Sequence, residues 1–119
     1  ADQQMIFLSE RDGTRRVPIA IGALEALAID RAVKGQKFPR PLTHDLFVKL
    51  LESTGHTCKE IRIVDLREGT FFAELVVVGA DEDEEIVLDC RPSDAIALMV
   101  RLPGTTLLVA EDVLAEAGN

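Results

Sequence analysis

The sequence predicts an α+β domain in which antiparallel hairpins and a three-stranded meander pack with three main helices. Three observations predict this class. Short segments rich in β-branched residues flank glycine-containing turns, stretches with helical apolar spacing separate them, and glycine or proline punctuates most of the boundaries. With 119 residues, 47% of them hydrophobic, residues 1–119 are expected to form a single domain around one core.

The first hairpin and the first helix are predicted within residues 5–35. Residues 5–8 and 16–21 read as strands around the turn at residues 11–13. Gly22 opens a helix that runs to Lys34. Gly35 is placed to end it, because glycine readily adopts the left-handed conformation at a helix C-terminus.

A second helix is predicted from Thr43 to Gly55, after an irregular segment that holds two prolines. The Thr43 hydroxyl can serve as the N-cap, since it can accept a hydrogen bond from an unpaired backbone N–H. On a helical wheel His44 falls at the flank of the apolar stripe and Asp45 on its solvent side. The predicted buried stripe consists of Leu46, Phe47, Leu50 and Leu51.

A second hairpin is predicted within residues 58–78, around the turn at residues 67–69. A three-residue loop is preferred, because it sets Ile61 opposite Leu75 on one face of the sheet and Arg62 opposite Glu74 on the other.

An acidic run at residues 81–85 leads into the third meander strand, residues 86–90. The net charge is −8, and the chain without these five acids carries −3. The net negative charge argues against a broad basic surface that would bind a phosphate backbone, although a single acidic loop accounts for most of that charge. The run itself is expected to be a solvated turn.

The C-terminal part is predicted to hold a helix from Ser93 to about Arg101, a strand at residues 106–109 and a helix at residues 111–117. Residues 95–100 are apolar all round, so the sheet or another subunit must cover this helix on most sides. We therefore expect a homo-oligomer, most simply a dimer.

The cysteines and the apolar runs indicate the compartment. Cys58 and Cys90 are expected to be reduced core residues at opposite ends of the meander. No apolar run approaches the roughly 20 residues that span a bilayer, and residues 1–4 lack the layout of a signal peptide. A cytoplasmic protein is expected. His56 beside Cys58 is a weak metal signal, because no second ligand pair follows it.

Three segments carry most of the polar residues with chemical potential. They read RPLTHDL at residues 40–46, DLREGTF at 65–71 and DCRPSDAIAL at 89–98. The chain lacks the phosphate-binding and dinucleotide-binding glycine motifs, HExxH and GxSxG. The commonest enzyme signatures are therefore missing.

Taken together and in this order, the segments resemble the bifunctional nuclease domain family, whose members are similar at RP-x-THDL, DLR-x-GTF-x-AEL and RPSDAIALA. The family's PIxIG and EAxAI are matched at residues 18–22 and 25–29. The likeness runs from about residue 17 to residue 114. The family usually begins with one more strand before the residue 5 segment, which is expected to be absent here. It also tends to have a proline and an aromatic residue near residues 106–108.

The resemblance implies a nuclease that hydrolyses RNA and DNA with little sequence preference. Phosphodiester hydrolysis needs an activated water, stabilisation of charge on the phosphoryl oxygens and help for the leaving oxygen. The catalytic candidates are His44, as general acid or base, and the carboxylates Asp45, Asp65 and Asp94. The candidates for binding substrate phosphate are Arg40, Arg67, Arg91 and Ser93. No spacing specifies a metal site, and any bound ion is expected to be a hard, oxygen-ligated cation such as Mg²⁺ or Mn²⁺.

Each of these residues also has a structural interpretation. Arg91 and Asp94 can form a bidentate ion pair, Asp65 and Arg67 can order a turn, and His44 can be satisfied without titrating. A carboxylate in the first turn of a helix favours the helix dipole, which applies to Glu25, Asp45 and Asp94. On this alternative the chain is a non-catalytic regulatory or oligomeric interaction domain. Convergence of the candidates on one open cleft would favour the nuclease.

Overall fold

The computed structural model describes residues 3–81 and 84–119 and has the α+β architecture that the sequence predicts. The strands form a two-stranded sheet, β1–β2, and a four-stranded sheet of order β5–β4–β3–β6. The elements in chain order are β1 (Gln3–Ser9), β2 (Arg16–Gly22), α1 (Ala23–Val33), α2 (Thr43–Ser53), β3 (Thr57–Arg67), β4 (Thr70–Val78), β5 (Glu85–Cys90), α3 (Pro92–Met99), β6 (Thr106–Val109) and α4 (Glu111–Ala117).

The first hairpin and the end of α1 follow the prediction. Strand β2 alternates as expected for a half-buried strand, with Val17, Ile19 and Ile21 buried. Gly35 has φ of 69°, the left-handed conformation that lets a glycine end a helix. Both sheets and the helices α2, α3 and α4 contribute residues to one buried cluster.

The β3–β4 hairpin keeps the predicted register with a different loop. Ile61 faces Leu75, but the loop has two residues, Glu68 and Gly69, with φ of 49° and 81°. The predicted three-residue loop is therefore wrong. The register is preserved because β3 holds an extra residue, Val64, in a bulge.

The large sheet is a mixed sheet. Strand β5 pairs antiparallel with β4 and completes the predicted meander, whereas β6 pairs parallel with β3 after the α3 crossover. Within the predicted acidic turn, Glu82 and Asp83 lie outside the described residues. Cys58 and Cys90 are free, and burial raises the pKa of the Cys90 thiol to about 11.

Helix α3 is covered by its own chain. It packs against α1, α2, β3 and β4, and Ala95 and Ala97 are 0% and 1% exposed. The argument that this helix needs a second subunit is therefore wrong. The dimer itself stays a prediction. None of the helices in the described ranges is long and apolar enough to cross a membrane.

Helix α2 is turned differently from the helical-wheel prediction. Its N-cap is Leu42 and not Thr43, and Leu46 and Leu50, predicted to be buried, are 60% and 57% exposed. Asp45 is not on the solvent side, because it binds an arginine of the segment that follows α3. Apolar residues surround more than half of this helix, so the wheel alone could not select the inward face.

Candidate functional site

Candidates from two separate motifs meet where the start of α3 faces the first turn of α2. The Asp94 carboxylate accepts from Arg91 twice, Nε to Oδ2 at 3.0 Å and Nη2 to Oδ1 at 3.1 Å. His44 Nε2 lies 3.2 Å from Asp94 Oδ1. One carboxylate therefore holds a guanidinium fork and an imidazole side by side.

The local sequence explains this geometry. Arg91 is the extended N-cap of α3, and Pro92 follows at the first helical position, where the missing N–H costs nothing. Asp94 then occupies the first turn, where the helix dipole favours a negative charge. Ser93 is 7% exposed and lies on the inner side of the same turn.

Glu25 extends the group from α1. Its Oε1 lies 3.4 Å from Arg91 Nη1. A Cβ at Gly22 would stand 2.7 Å from Glu25 Oε2, so the glycine leaves room for this carboxylate. In the sequence Glu25 belongs to the segment that matches EAxAI, and its place in the first turn of α1 indicates only a helix-end charge. We call Glu25, His44, Arg91 and Asp94 together the α3 cluster.

The α3 cluster borders an open cleft of about 490 Å³, to which Glu25, Arg91 and Ser93 contribute. The cleft is also lined by Met5, by residues 18–22 of β2 and by residues 69–71 of the β3–β4 turn. The Arg91 side chain is 65% exposed. Its guanidinium is thus fixed at one edge by Asp94 and open to a ligand at another.

The electrostatics of the α3 cluster keep Asp94 ionised. Burial alone would raise the pKa of Asp94, but the hydrogen bonds and charges of Arg91 and His44 more than offset this and lower it. Asp94 is therefore an ionised acceptor, and it favours the tautomer with the proton on His44 Nε2. In the described part of the chain Nδ1 has no hydrogen-bond partner.

Asp45 lies apart from the α3 cluster and is itself partly exposed, but its partner Arg101 is buried. Arg101 donates from Nε to Asp45 Oδ1 at 2.7 Å, and the Leu42 N–H donates to Oδ2 at 3.0 Å. The Arg101 side chain is 8% exposed and also donates to the carbonyls of Ala97 and Ala28, at 2.8 and 3.3 Å. The Arg101 hydrogen bond, more than any other contact, lowers the pKa of Asp45. Arg101, which belongs to none of the three segments, thus ties three helices together.

The remaining candidates are not joined to the α3 cluster. Arg67 donates from Nε to Asp65 Oδ2 at 2.5 Å and lies 4.8 Å from the centre of the Phe72 ring. This hydrogen bond lowers the pKa of Asp65, whose other oxygen accepts from the Leu66 N–H. Arg40 is exposed and has no ion pair with residues 3–81 or 84–119. The candidates therefore do not converge on one cleft. Six of them form three separate groups: His44 with Arg91 and Asp94, Asp45 alone, and Asp65 with Arg67.

The predicted pair of Arg62 and Glu74 is present on the neighbouring strands. Arg62 Nη1 lies 3.9 Å from Glu74 Oε1, while its Nε is closer to Glu60, at 2.5 Å. This charge group therefore belongs to the sheet surface, as the register predicts.

Comparison with known proteins places these residues in context. Residues 6–119 match the sequence model of the bifunctional nuclease domain. An uncharacterised protein of Mycobacterium tuberculosis is 46% identical over 117 residues, which cover 98% of this chain and 68% of the relative.

Plant proteins are more distant relatives. Bifunctional nuclease 2 of Oryza sativa subsp. japonica is 29% identical over 103 residues, and bifunctional nuclease 2 of Arabidopsis thaliana is 28% identical over 104 residues. The match covers 85% of this chain in both cases but only 32% and 31% of the plant proteins.

Proposed function

Because the chain belongs to the bifunctional nuclease domain family, we propose that it hydrolyses the phosphodiester bonds of RNA and DNA, with little sequence preference, at the α3 cluster. The observation that carries the proposal is the shared carboxylate of Asp94, which holds His44 next to Arg91, an exposed arginine that lines an open cleft. General acid–base chemistry and phosphate binding are thereby adjacent.

Arg91 is the proposed phosphate ligand. A guanidinium has five N–H donors, of which three point to Asp94 and Glu25. The other two remain for the non-bridging oxygens of a phosphodiester, which develop charge in the transition state. Glu25 and Asp94 hold the guanidinium before substrate arrives, so less rotamer entropy is lost on binding.

His44 is the proposed general base. Activity on both RNA and DNA requires that the nucleophile be water, since DNA has no 2′-hydroxyl. The water oxygen forms the new bond to phosphorus as its proton passes to His44 Nδ1, and the bond from phosphorus to the leaving oxygen breaks. The leaving oxygen takes a proton from the resulting imidazolium or from solvent. Asp94 stabilises that imidazolium through Nε2, as a positioning carboxylate does.

The donor groups at the α3 cluster are not arranged to bind a divalent cation. The described ranges hold no group of three or more His, Cys, Asp and Glu side chains that could bind a metal ion. Glu25, which lines the cleft, and Asp94, which lies behind Arg91, both hold that arginine. These donors do not fit a resident Mg²⁺ or Mn²⁺, and no step above uses one. The requirement for a cation stays a prediction, tested by assays in EDTA and in each metal.

One observation favours the non-catalytic alternative. All three carboxylates named as catalytic candidates are bound by arginines, Asp45 by Arg101, Asp65 by Arg67 and Asp94 by Arg91. Ion pairs of this kind can be purely structural, as in a regulatory or assembly domain. The nuclease proposal and the non-catalytic alternative differ in the role of His44. In a nuclease its removal lowers the cleavage rate, whereas in a non-catalytic domain its removal affects only stability.

The test compares the chain's two histidines on labelled single-stranded RNA and DNA. We expect His44→Ala to lose at least about 100-fold in cleavage rate, the usual contribution of a general base. His56→Ala removes the same group at a place away from the α3 cluster, where Nδ1 forms a hydrogen bond with Thr54, and should keep full activity. Equal activity of the two variants would refute the role of His44 and the site at the α3 cluster. No cleavage by the wild-type chain in EDTA, Mg²⁺ or Mn²⁺ from about pH 5 to pH 9 would refute the nuclease proposal itself.

A further inference from the structure

A second concave surface lies on the other side of α2. It is a groove of about 610 Å³ between the first turn and body of α2 and the segment that follows α1. We call it the basic groove, and the side chains that matter for its chemistry are Arg31, Lys37, Phe38 and Lys49. Nothing in the proposed reaction uses these residues.

The charge of this region is opposite to that of the whole chain. Residues 31–49 hold five Lys and Arg against one Asp, a net charge of +4, in a chain of net charge −8. Asp45, the one acid of this segment, is neutralised by Arg101. The groove lining also holds Glu52, so its charged residues are Arg31, Lys37, Lys49 and Arg101 against Asp45 and Glu52, a net charge of +2. A negative ligand is therefore attracted to this surface although the protein as a whole repels it.

The cations of the basic groove are also free of ion pairs. Of the chain's 13 Lys and Arg, seven pair with a described carboxylate within 4.0 Å. Six have no such partner in residues 3–81 and 84–119, and four of those six lie within residues 31–49: Arg31, Lys37, Arg40 and Lys49. With respect to the described residues, four of the five cations in this segment are therefore unpaired, against two of the eight elsewhere, and unpaired cations are what an anionic polymer requires.

An aromatic side chain accompanies these charges. Phe38 is 37% exposed, and the Arg31 guanidinium lies 5.0 Å from the centre of its ring. A ring and a guanidinium plane are the two surfaces on which unpaired bases stack. An acidic polypeptide would use the charges but would gain nothing from the ring.

The basic groove leads to the α3 cluster along one helix. His44 and Asp45 are consecutive residues of the first turn of α2; His44 contacts Asp94, whereas Asp45 and Lys49 line the groove. We infer that the basic groove binds the backbone of single-stranded RNA or DNA and leads it to the α3 cluster. This inference rests on the nuclease proposal for the identity of the ligand.

The experiment measures binding separately from cleavage. All variants carry His44→Ala, and the probes are fluorescein-labelled oligo-dT and oligo-U, followed by anisotropy over a series of salt concentrations. Lys37→Gln with Lys49→Gln should weaken binding about tenfold and reduce the slope of log K against log salt by about 1.4, the value for two single-strand phosphate contacts. Arg11→Gln with Lys59→Gln is the control, because it removes the same net charge outside the groove.

The stacking arm uses Phe38→Leu, which keeps an apolar side chain and removes the ring. We expect about tenfold weaker binding with an unchanged salt slope.

Equal losses of affinity in the groove pair and the control pair would overturn the inference, as would full competition by poly-glutamate with no effect of Phe38→Leu. Equal thermal midpoints of all the variants exclude misfolding. If oligonucleotides bind in the groove but wild-type chain cleaves nothing, the groove stands and the nuclease proposal fails. If the wild-type chain cleaves oligonucleotides but the groove substitutions do not weaken their binding, the nuclease proposal stands and the groove inference fails.

Discussion

Asp45 and Asp94 occupy the same place in two helices and have different surroundings. Each is the third residue of its helix, and a proline lies shortly before it, in RPLTHD and in RPSD. Asp45 binds Arg101, whose side chain is 8% exposed, whereas Asp94 binds Arg91, whose side chain is 65% exposed. Two similar motifs therefore give one buried and one open ion pair.

The difference shows that the partner's burial, more than the motif, decides what a carboxylate can do. A guanidinium that also binds two backbone carbonyls has few donors left for a ligand, and its charge depends on the one carboxylate beside it. An exposed guanidinium keeps free donors, and its ion pair contributes little to stability. Stability is thus expected to depend on Asp45, and activity on Asp94.

The largest effect should come from breaking the buried pair. Asp45→Asn leaves the Arg101 charge with no anion, so we expect a loss of about 3 kcal/mol in the free energy of unfolding by urea titration, the low end for a buried pair because Asp45 is partly exposed. Asp30→Asn removes the exposed i,i+4 pair with Lys34 and should cost less than about 0.5 kcal/mol.

A double variant tests the cause of that loss. Replacing both partners, Asp45→Leu with Arg101→Met, removes the stranded charge and should recover much of the stability. If the single and double variants are equally destabilised, packing and not charge explains the effect, and the comparison with Asp94 loses its basis.

Much of the fold could be predicted because it depends on local chemistry. Glycine at Gly35 and Gly69 marks chain reversals, and the alternation of apolar residues sets the register that pairs Ile61 with Leu75. The bulge at Val64 could not be foreseen, since a two-residue loop with a bulge gives the same register as a three-residue loop.

The site was harder to predict because its contacts are long-range. His44 and Asp94 are 50 residues apart, and Asp45 and Arg101 are 56 residues apart. The motifs named His44, Arg91 and Asp94 but could not say which way α2 is turned about its axis. Arg101 follows an apolar helix with no motif around it, so nothing in the sequence separated it from a surface arginine.

The second largest effect should be a loss of activity when the exposed pair of Arg91 and Asp94 is broken. Asp94→Asn should reduce cleavage about 100-fold, because a neutral amide neither favours the proton on His44 Nε2 nor stabilises the imidazolium. The loss of unfolding free energy should stay below that of Asp45→Asn. Asp89→Asn, an exposed neighbour on β5, is the control. Retained activity in Asp94→Asn would make the α3 cluster structural.

A smaller change at the open pair is Arg91→Lys. Lysine keeps the positive charge but cannot span both Asp94 oxygens and a phosphate at once. We expect about a tenfold rise in KM for oligonucleotides, with stability altered by less than about 1 kcal/mol. A large loss of stability with KM unchanged would instead indicate that the fork serves folding.

The smallest expected difference is in the acid sensitivity of the two pairs. The Arg101 hydrogen bond lowers the pKa of Asp45 below its ordinary value of 3.8, so folding favours the ionised form. Its contribution to stability is complete above about pH 4 and is lost as the pH falls through the lowered pKa. The pKa of Asp94 is lowered too. Burial opposes the lowering at both carboxylates, but it is the largest single effect at Asp94 and comes second to the arginine hydrogen bond at Asp45. Wild-type stability should therefore fall on acidification from about pH 4 to about pH 2. In urea titrations across this range Asp45→Asn should flatten the fall more than Asp94→Asn does. Equal flattening by both would mean that the exposed and the buried arginine stabilise their carboxylates alike.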